Sequence, residues 1–253
     1  MSWADRVRAD GFTRWHRFNE ASGNIQDEAT SNPNSLSISG SPTYQITGAL
    51  PCNNYAVQFD ADTEYGTFPQ NDELDFSAVG AKATWEFWIQ ILSTGSTANA
   101  YLWAMGSGVD PNNTPQILTQ VDAADSTLCY VKFHRNNSTT ITSSAITTDE
   151  WHHIVIVYED AATDEILIYS DGSQIAAGSL AGGLAYNSGY RTLLSSDPFD
   201  FNEGSDIVID ELVIYKDVAL TSTQVLAHYN GGCGSPGWGW HSNQPYWQVV
   251  RGF

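Results

Sequence analysis

The sequence predicts an all-β protein folded as a two-sheet antiparallel jelly-roll β-sandwich. Short runs of β-branched and aromatic residues recur along the chain, and turns rich in Gly, Ser, Asn and Asp separate them about every ten residues. Helical periodicity is rare. The 253 residues suit one large all-β domain or two small ones, and they can bury a substantial core without disulfide bonds.

The predicted strands follow one another with little else between them. They cover residues 13–18, 55–60, 64–68, 84–92, 100–106, 115–121, 128–134, 139–145, 152–159, 165–178, 191–195 and 206–215. Within the run at 165–178, Asp171–Gly172 predicts a tight hairpin turn, because these two residue types tolerate the positive φ angles that such a turn requires.

Two short helices are predicted outside the strands. Residues 3–9 form a turn of helix near the N-terminus. Residues 221–229 form a short C-terminal helix, for which Thr221 is a suitable N-cap. The residues predicted to share one face of this helix are Val225, Leu226 and Tyr229.

The chain is strongly acidic, with a formal net charge of −19. An acidic surface is repelled by phosphates, so no nucleic-acid partner is expected. No apolar run approaches the roughly 18 residues of a membrane span, and no basic-then-apolar start resembles a signal peptide, so no membrane insertion is expected. Three sparse cysteines predict reduced thiols and assembly in a cytoplasm.

The basic residues are unevenly distributed. Four of the ten lie near the N-terminus, at Arg6, Arg8, Arg14 and Arg17. A positive N-terminal arm over residues 1–12 would dock on an acidic neighbour, whereas the same arginines also fit ordinary strand and loop positions.

The stretch "DEWHHIVIVYED" at 149–160 raises the question of a metal or acid–base site. On a strand, His152 and His153 point to opposite faces, so they cannot chelate one ion together. Both faces are apolar beyond the histidines, which predicts an inner strand of a two-layer sandwich. We expect the histidines to be structural and to hydrogen-bond to neighbouring backbone.

The stretch at 150–178 resembles the laminin G-like module of the concanavalin A-like lectin/glucanase superfamily, which typically has a Trp-His strand, a second strand and an Asp-Gly hairpin. Other motifs of the module occur in order, and the resemblance spans about residues 13–232. It implies a jelly roll of two curved antiparallel sheets. The segments that carry the resemblance are 18–40, 56–68, 73–90, 150–178 and 207–232.

Some members of this superfamily hydrolyse glucans with closely spaced carboxylates on one strand, in a Glu-x-Asp-x-Glu pattern or a near variant. This chain lacks that pattern: Glu86 stands alone in its strand, and Asp210 and Glu211 are adjacent and point to opposite faces. We therefore expect a protein that is not an enzyme.

The resemblance implies a calcium ion that ties the N-terminal polar loop to the closing strand. Carboxylate, amide and backbone oxygens are the ligands that Ca²⁺ prefers. The expected ligands are Asp27, Asn32, Asn34 and Asp210, and a second, weaker candidate is the acidic loop with Asp197, Asp200, Glu203 and Asp206. The alternative is that these are solvated surface acids.

Aromatic platforms beside polar groups suit glycan binding. The candidate ligand-binding residues are Tyr101, Trp103, Tyr186, Asn187 and Tyr190, with edge-capping tyrosines as the alternative. Residues 233–253 form an extended tail rich in Gly, Pro and aromatics. It either folds back on the sandwich or docks on a partner through Trp238, Trp240, Tyr246, Trp247 and Phe253.

Three readings of function remain. We favour a lectin-like virion protein of a bacteriophage, such as a capsid decoration, fibre or tail protein, that is assembled in the host cytoplasm and docks on capsid or tail proteins, on copies of itself, or on a surface glycan. The second is a secreted, extracellular carbohydrate-binding module. The third is a glucanase-type hydrolase. The expected division is an arm at 1–12, the jelly roll at 13–232 and the tail at 233–253.

Overall fold

Two antiparallel sheets of eight strands each pack face to face, which confirms the predicted all-β sandwich. The computed structural model describes residues 1–29, 33–50, 55–69, 74–78, 80–106, 114–135, 139–160, 165–180, 183–186, 189–198, 201 and 203–231.

The first sheet includes the strand that follows the first helix along the chain and the strand that precedes the second helix. Its strands are β1 (Arg14–His16), β3 (Thr43–Thr47), β4 (Tyr55–Phe59), β6 (Lys82–Ile91), β12 (His152–Glu159), β13 (Glu165–Ser170), β14 (Ser173–Ser179) and β16 (Ile207–Lys216). Their spatial order is β14-β13-β12-β6-β16-β4-β3, and β1 pairs with β16.

The second sheet carries the strands of the middle of the chain. Its strands are β2 (Ser37–Ser39), β5 (Tyr65–Phe68), β7 (Ala100–Gly106), β8 (Pro115–Val121), β9 (Leu128–Arg135), β10 (Thr139–Thr142), β11 (Ile146–Thr147) and β15 (Arg191–Leu194). Their order is β10-β9-β8-β7-β15-β5-β2, and β11 pairs with β9.

The hairpin between β13 and β14 has the predicted tight turn. Ser170 pairs with Ser173, so Asp171 and Gly172 are its two central residues. Their φ angles are 51° and 77°, which are the positive values that match the twist of the flanking strands.

The main core lies between the inner faces of the two sheets. Its centre is aromatic: the ring of Trp85 on β6 lies 5.4 Å from that of Trp103 and 5.8 Å from that of Phe133. On β12, Ile154, Ile156 and Tyr158 belong to this core, while Val155 and Val157 belong to a second buried cluster on the outer face. The prediction of a strand buried on both faces is therefore confirmed.

Two helices cover the outer face of the first sheet. Helix α1 (Trp3–Asp10) and helix α2 (Ser222–Tyr229) each begin with a capping box, at Ser2 and at Thr221. Such boxes satisfy amide groups that the first helical turn leaves without partners. Both helix predictions are confirmed.

Of the three residues predicted to share one face of α2, Leu226 does not lie on the face that packs on the sheet. Val225 is fully buried, but Leu226 is 47% exposed, and His228 takes the buried place with 1% exposure. Because Val225 and His228 are three residues apart, they share one side of the helix, whereas Leu226 is rotated by about 100° from Val225.

The N-terminal segment packs on the sandwich rather than extending from it as an arm. Trp3 and Val7 of α1 are fully buried. The guanidinium groups of Arg8 and Arg17 lie 4.9 and 5.2 Å from the centre of the Trp15 ring. Arg8 and Arg17 therefore take ordinary structural roles, as the second of the two readings expects. Among the described residues, neither helix is long and apolar enough to cross a membrane.

Candidate binding face and buried polar centre

A buried carboxylate joins both helices to the first sheet. Glu86 on β6 is fully buried. Its Oε1 accepts hydrogen bonds from the indole Nε1 of Trp3 at 2.9 Å and from Nε2 of His153 at 2.8 Å, and its Oε2 accepts one from the Tyr215 hydroxyl at 2.8 Å. Nδ1 of His228 lies 2.9 and 3.0 Å from the two oxygens. We call these five side chains the Glu86 centre.

Glu86 holds its charge because its carboxylate accepts hydrogen bonds from four side chains. Burial alone would raise the pKa of Glu86, but the neighbouring His228 and His153 lower that pKa overall. His228 also contacts Asp10 of α1 through Nε2 at 2.8 Å. Burial opposes the charged imidazole, yet Glu86 and Asp10 raise the pKa of His228. An imidazolium between two carboxylates therefore ties α1 and α2 to β6.

The adjacent histidines do point apart, as predicted. His152 contacts Oδ2 of Asp171 in the hairpin turn at 2.8 Å and the carbonyl oxygen of Thr147 at 3.2 Å. His153 enters the Glu86 centre instead. Both histidines are structural, but their main partners are carboxylates far along the chain, and not only the neighbouring backbone that the sequence analysis expected.

The predicted calcium ligand Asp27 is surrounded by N–H donors. Its Oδ1 accepts from the backbone of Trp15 at 3.1 Å and Ala29 at 3.0 Å, and its Oδ2 accepts from Arg14 Nη1 at 3.1 Å and the backbone of Asn34 at 3.0 Å. Four donors fill the lone pairs of a buried carboxylate. The geometry therefore favours a structural role for Asp27, and calcium binding there stays a prediction.

Asp210 and Asn34, two further predicted calcium ligands, make hydrogen bonds to other parts of the protein. Oδ2 of Asp210 accepts from the backbone of Ala49 at 2.9 Å, and the backbone oxygen of Asn34 lies 3.0 Å from His16 Nε2. Asn32 and Asp200 lie outside the described residues. Among the described residues, no three His, Cys, Asp or Glu side chains are grouped so as to hold a metal ion.

Two residues of the predicted aromatic platform are buried. Trp103 is 1% exposed and Tyr190 is 7% exposed, and both belong to the core between the sheets. Tyr186 is half-buried and packs against that core. Tyr101 is half-buried beside Gly204, to which it is bridged. Asn187 and the predicted tail anchors Trp238, Trp240, Tyr246, Trp247 and Phe253 lie outside the described residues.

The outer face of the second sheet is divided into two halves. Over β15 and β7, Leu193 and Ala104 are fully buried. There the chain after β15 runs along β7, with a 2.7 Å bond from Ser195 N to Leu102 O, and Phe201 packs on Arg191 with 4.7 Å between ring centre and guanidinium. The half formed by β8, β9 and β10 carries polar side chains.

We call this polar half the binding face. Ile117, Val131 and Phe133 point into the core, so their neighbours along β8 and β9 point outward. The face consists of Gln116, Gln120, Tyr130, Lys132, His134 and Thr140. The register places Gln116 opposite His134, Gln120 opposite Tyr130, and His134 opposite Thr140.

Hydrogen bonds order the side chains of the binding face. Lys132 Nζ donates to Oδ1 of Asn99 at 2.7 Å and to Oε1 of Gln120 at 2.5 Å. His134 Nδ1 lies 2.7 Å from the Thr140 hydroxyl. Burial, and then the charge of Lys132, lower the pKa of His134. The imidazole is therefore neutral at neutral pH, and Lys132 is the one formal charge among the six residues of the face.

A profile of the laminin G type, described as the concanavalin A-like lectin/glucanases superfamily, matches residues 60–226. A search of curated protein sequences found no significant match. Similar solved structures include the binding domain of botulinum neurotoxin serotype D, at a TM-score of 0.63 and 10% identity over 89% of this chain and 52% of that one.

Two further similar structures have nearly the same coverage. The binding domain of Paraclostridial Mosquitocidal Protein 1 matches with a TM-score of 0.60 and 14% identity, over 88% of this chain and 52% of that one. The binding domain of botulinum neurotoxin DC, solved with rat synaptotagmin II, matches with a TM-score of 0.59 and 13% identity over 87% and 51%. The chain spans about half the length of these proteins, and identities this low show the shared fold alone.

Proposed function

Because the chain belongs to the concanavalin A-like lectin/glucanases superfamily, we propose that it is a non-enzymatic, lectin-like binding module. A fold of this kind hosts both binding proteins and hydrolases, so the choice depends on the side chains. The observation that carries the proposal is that the carboxylates on the strands are bonded to other parts of the protein. Glu86 is enclosed by four side-chain donors and fully buried.

The other buried carboxylates support the same choice. Glu211 accepts the indole N–H of Trp15 at 2.6 Å and pairs with Arg17 at 2.9 Å, and its side chain is fully buried. Asp27 is filled by four donors, as described above. A glycosidase needs a carboxylic acid and a second carboxylate open to the sugar, and these three side chains are committed to holding the fold.

The finer proposal is that the module serves on a bacteriophage particle, as a decoration, fibre or tail protein that binds a surface glycan or a protein receptor. Two observations support a receptor role: lectin-like modules recur in such proteins, by analogy of fold, and the similar solved structures are described as binding domains, one of them in complex with synaptotagmin II. The aromatic tail at 233–253 supports docking on an assembly partner.

Binding without turnover is the expected result for the intact chain. We expect the protein to bind at least one oligosaccharide of a glycan panel while releasing no reducing ends from soluble β-glucans, because its buried carboxylates are already engaged. Isothermal titration and a reducing-sugar assay on the same preparation measure the two properties. Steady release of reducing sugar, abolished in a heat-denatured control, would support the hydrolase instead.

A chain that ends after Gly232 tests the assembly role of the tail. We expect it to keep the melting temperature of the full chain but to lose co-sedimentation with purified phage particles. Light scattering on both versions measures any oligomer. The secreted module would gain support if both versions stayed free of particles and bound glycan equally well.

A further inference from the structure

Helix α1 is attached to the rest of the protein by few polar contacts. Among the described residues, the side chains that hydrogen-bond α1 to other elements are Trp3, to Glu86 at 2.9 Å, and Asp10, to Gln224 at 3.0 Å and His228 at 2.8 Å. Gly11 ends the helix with a φ angle of 77°, and a Cβ atom built there would meet no described atom within 4 Å. The chain can therefore change direction at Gly11 without a steric clash.

His228 can hold α1 fully only while both of its ring nitrogens carry protons. Its Nδ1 lies 2.9 Å from Oε1 of Glu86, and its Nε2 lies 2.8 Å from Oδ2 of Asp10. An imidazolium donates from both nitrogens, whereas a neutral imidazole has a single N–H. Loss of one proton therefore leaves a nitrogen lone pair facing a carboxylate.

The contact with Asp10 is the one that a neutral His228 gives up. Glu86 is fully buried, so a lone pair that faced it would have no water to separate the two acceptors. The side chain of Asp10 is 22% exposed and can be hydrated instead. The remaining proton therefore stays on Nδ1, and α1 loses one of its attachments to α2.

The charges around His228 set the direction of the pH dependence. The titratable side chains on the elements packed around it are Asp10 of α1, Glu86 of β6, His153 of β12, Asp171 of the β13–β14 turn and Tyr215 of β16. Helix α2 has no other charged side chain. Burial opposes the charged imidazole, but Glu86 and then Asp10 raise the pKa of His228 above 6.5. Its contribution is complete below 6.5 and is lost as pH rises through the raised value.

We propose that α1 is a pH-dependent latch, which is closed on the first sheet while His228 bridges Asp10 and Glu86 and which swings open about Gly11, with the sandwich still folded, when that bridge is lost. Trp3 and Val7 are fully buried under the closed helix, so the open form is a minority state whose population increases with pH. Opening uncovers the ring of Trp15, which lies 5.6 Å from that of Trp3 in the closed form.

Hydrogen exchange on the full chain at about pH 6 and about pH 9 measures this opening, with each amide rate divided by the rate of an unfolded chain at the same pH. We expect the protection of the amides of residues 6–10 to fall at least about fivefold more than that of the β6 amides. This extra fall should be absent in His228→Gln, because glutamine does not titrate. It should also be absent in Asp10→Asn, because an amide can pair with either form of the imidazole.

The matched control is His134→Gln, which replaces a histidine on β9 of the other sheet and should behave as the unchanged chain does. Asp10→Asn changes a partly exposed side chain, so it keeps the test available if His228→Gln does not fold. Equal loss of protection in α1 and β6 would show that only the whole domain responds to pH and would overturn the latch. Unchanged protection of α1, or an extra fall that persists in Asp10→Asn, would also overturn it.

Discussion

Replacing Glu86 with alanine should lower the free energy of unfolding by about 3–5 kcal/mol, because removing one partner leaves the others buried and uncompensated. His153, His228 and Trp3 would each lose an acceptor from a site that water does not reach. In a domain of this size the loss corresponds to a melting temperature lower by roughly 10 °C.

Glu159→Ala is the control for this substitution. Glu159 pairs with Lys82 at 2.6 Å, but the side chains are 41% and 42% exposed, so its removal should change the free energy of unfolding by less than about 1 kcal/mol. Urea unfolding of both variants measures the difference. Equal effects of the two substitutions would show that the Glu86 centre does not hold the helices on the sheet.

His228→Ala should destabilise the protein more in mild acid than in alkali. The pKa of His228 is raised above its ordinary 6.5 in the folded state. Its stabilising contribution is therefore complete below 6.5 and is lost as pH rises through the raised value. Because the imidazolium bridges Glu86 and Asp10, we expect a loss of roughly 2 kcal/mol or more at about pH 5.5 and a smaller loss at about pH 9.

The stability contribution of His16 has a pH dependence opposite in sign to that of His228. Burial lowers the pKa of His16 below 6.5, so its contribution is complete above 6.5 and is lost as pH falls through the lowered value. His16→Ala should thus cost more at about pH 9 than at about pH 5.5. Urea unfolding at the two pH values measures the loss of stability of each variant. If both variants lost more stability at the same pH, the partners assigned to His228 and His16 would be contradicted.

The strands and the hairpin could be predicted from sequence because their signals are local. Alternation or continuous apolar character marks a strand, and Asp171–Gly172 marks its turn. Strands β2 and β3 were missed because they are short edge strands of three and five residues, in which Ser, Thr and Gln alternate with only half-buried Ile and Tyr.

The burial of Trp103 could not be predicted for a different reason. Regular alternation would place Tyr101 and Trp103 on the same side of β7. The register shifts between these two residues, and this β-bulge lets Trp103 enter the core beside Trp85 while Tyr101 stays half-buried. A bulge is set by the partner strands, so its position cannot be read from one strand alone.

The Glu86 centre could not be predicted because its members are far apart in sequence. Trp3, His153, Tyr215 and His228 come from both helices and two strands and meet at Glu86 only in the folded structure. Each residue alone has an ordinary local role. The sequence did indicate that the histidines were structural, but it carried no signal for their shared acceptor.

The most direct test of the account is a ¹⁵N-resolved titration of the full chain with the oligosaccharide that binds best in the panel. We predict saturable amide shifts while the sugar spectrum stays unchanged over days, because Glu86, Glu211 and Asp27 are buried and already engaged. An absence of shifts with every sugar, or new anomeric signals from a cleaved sugar, would contradict it.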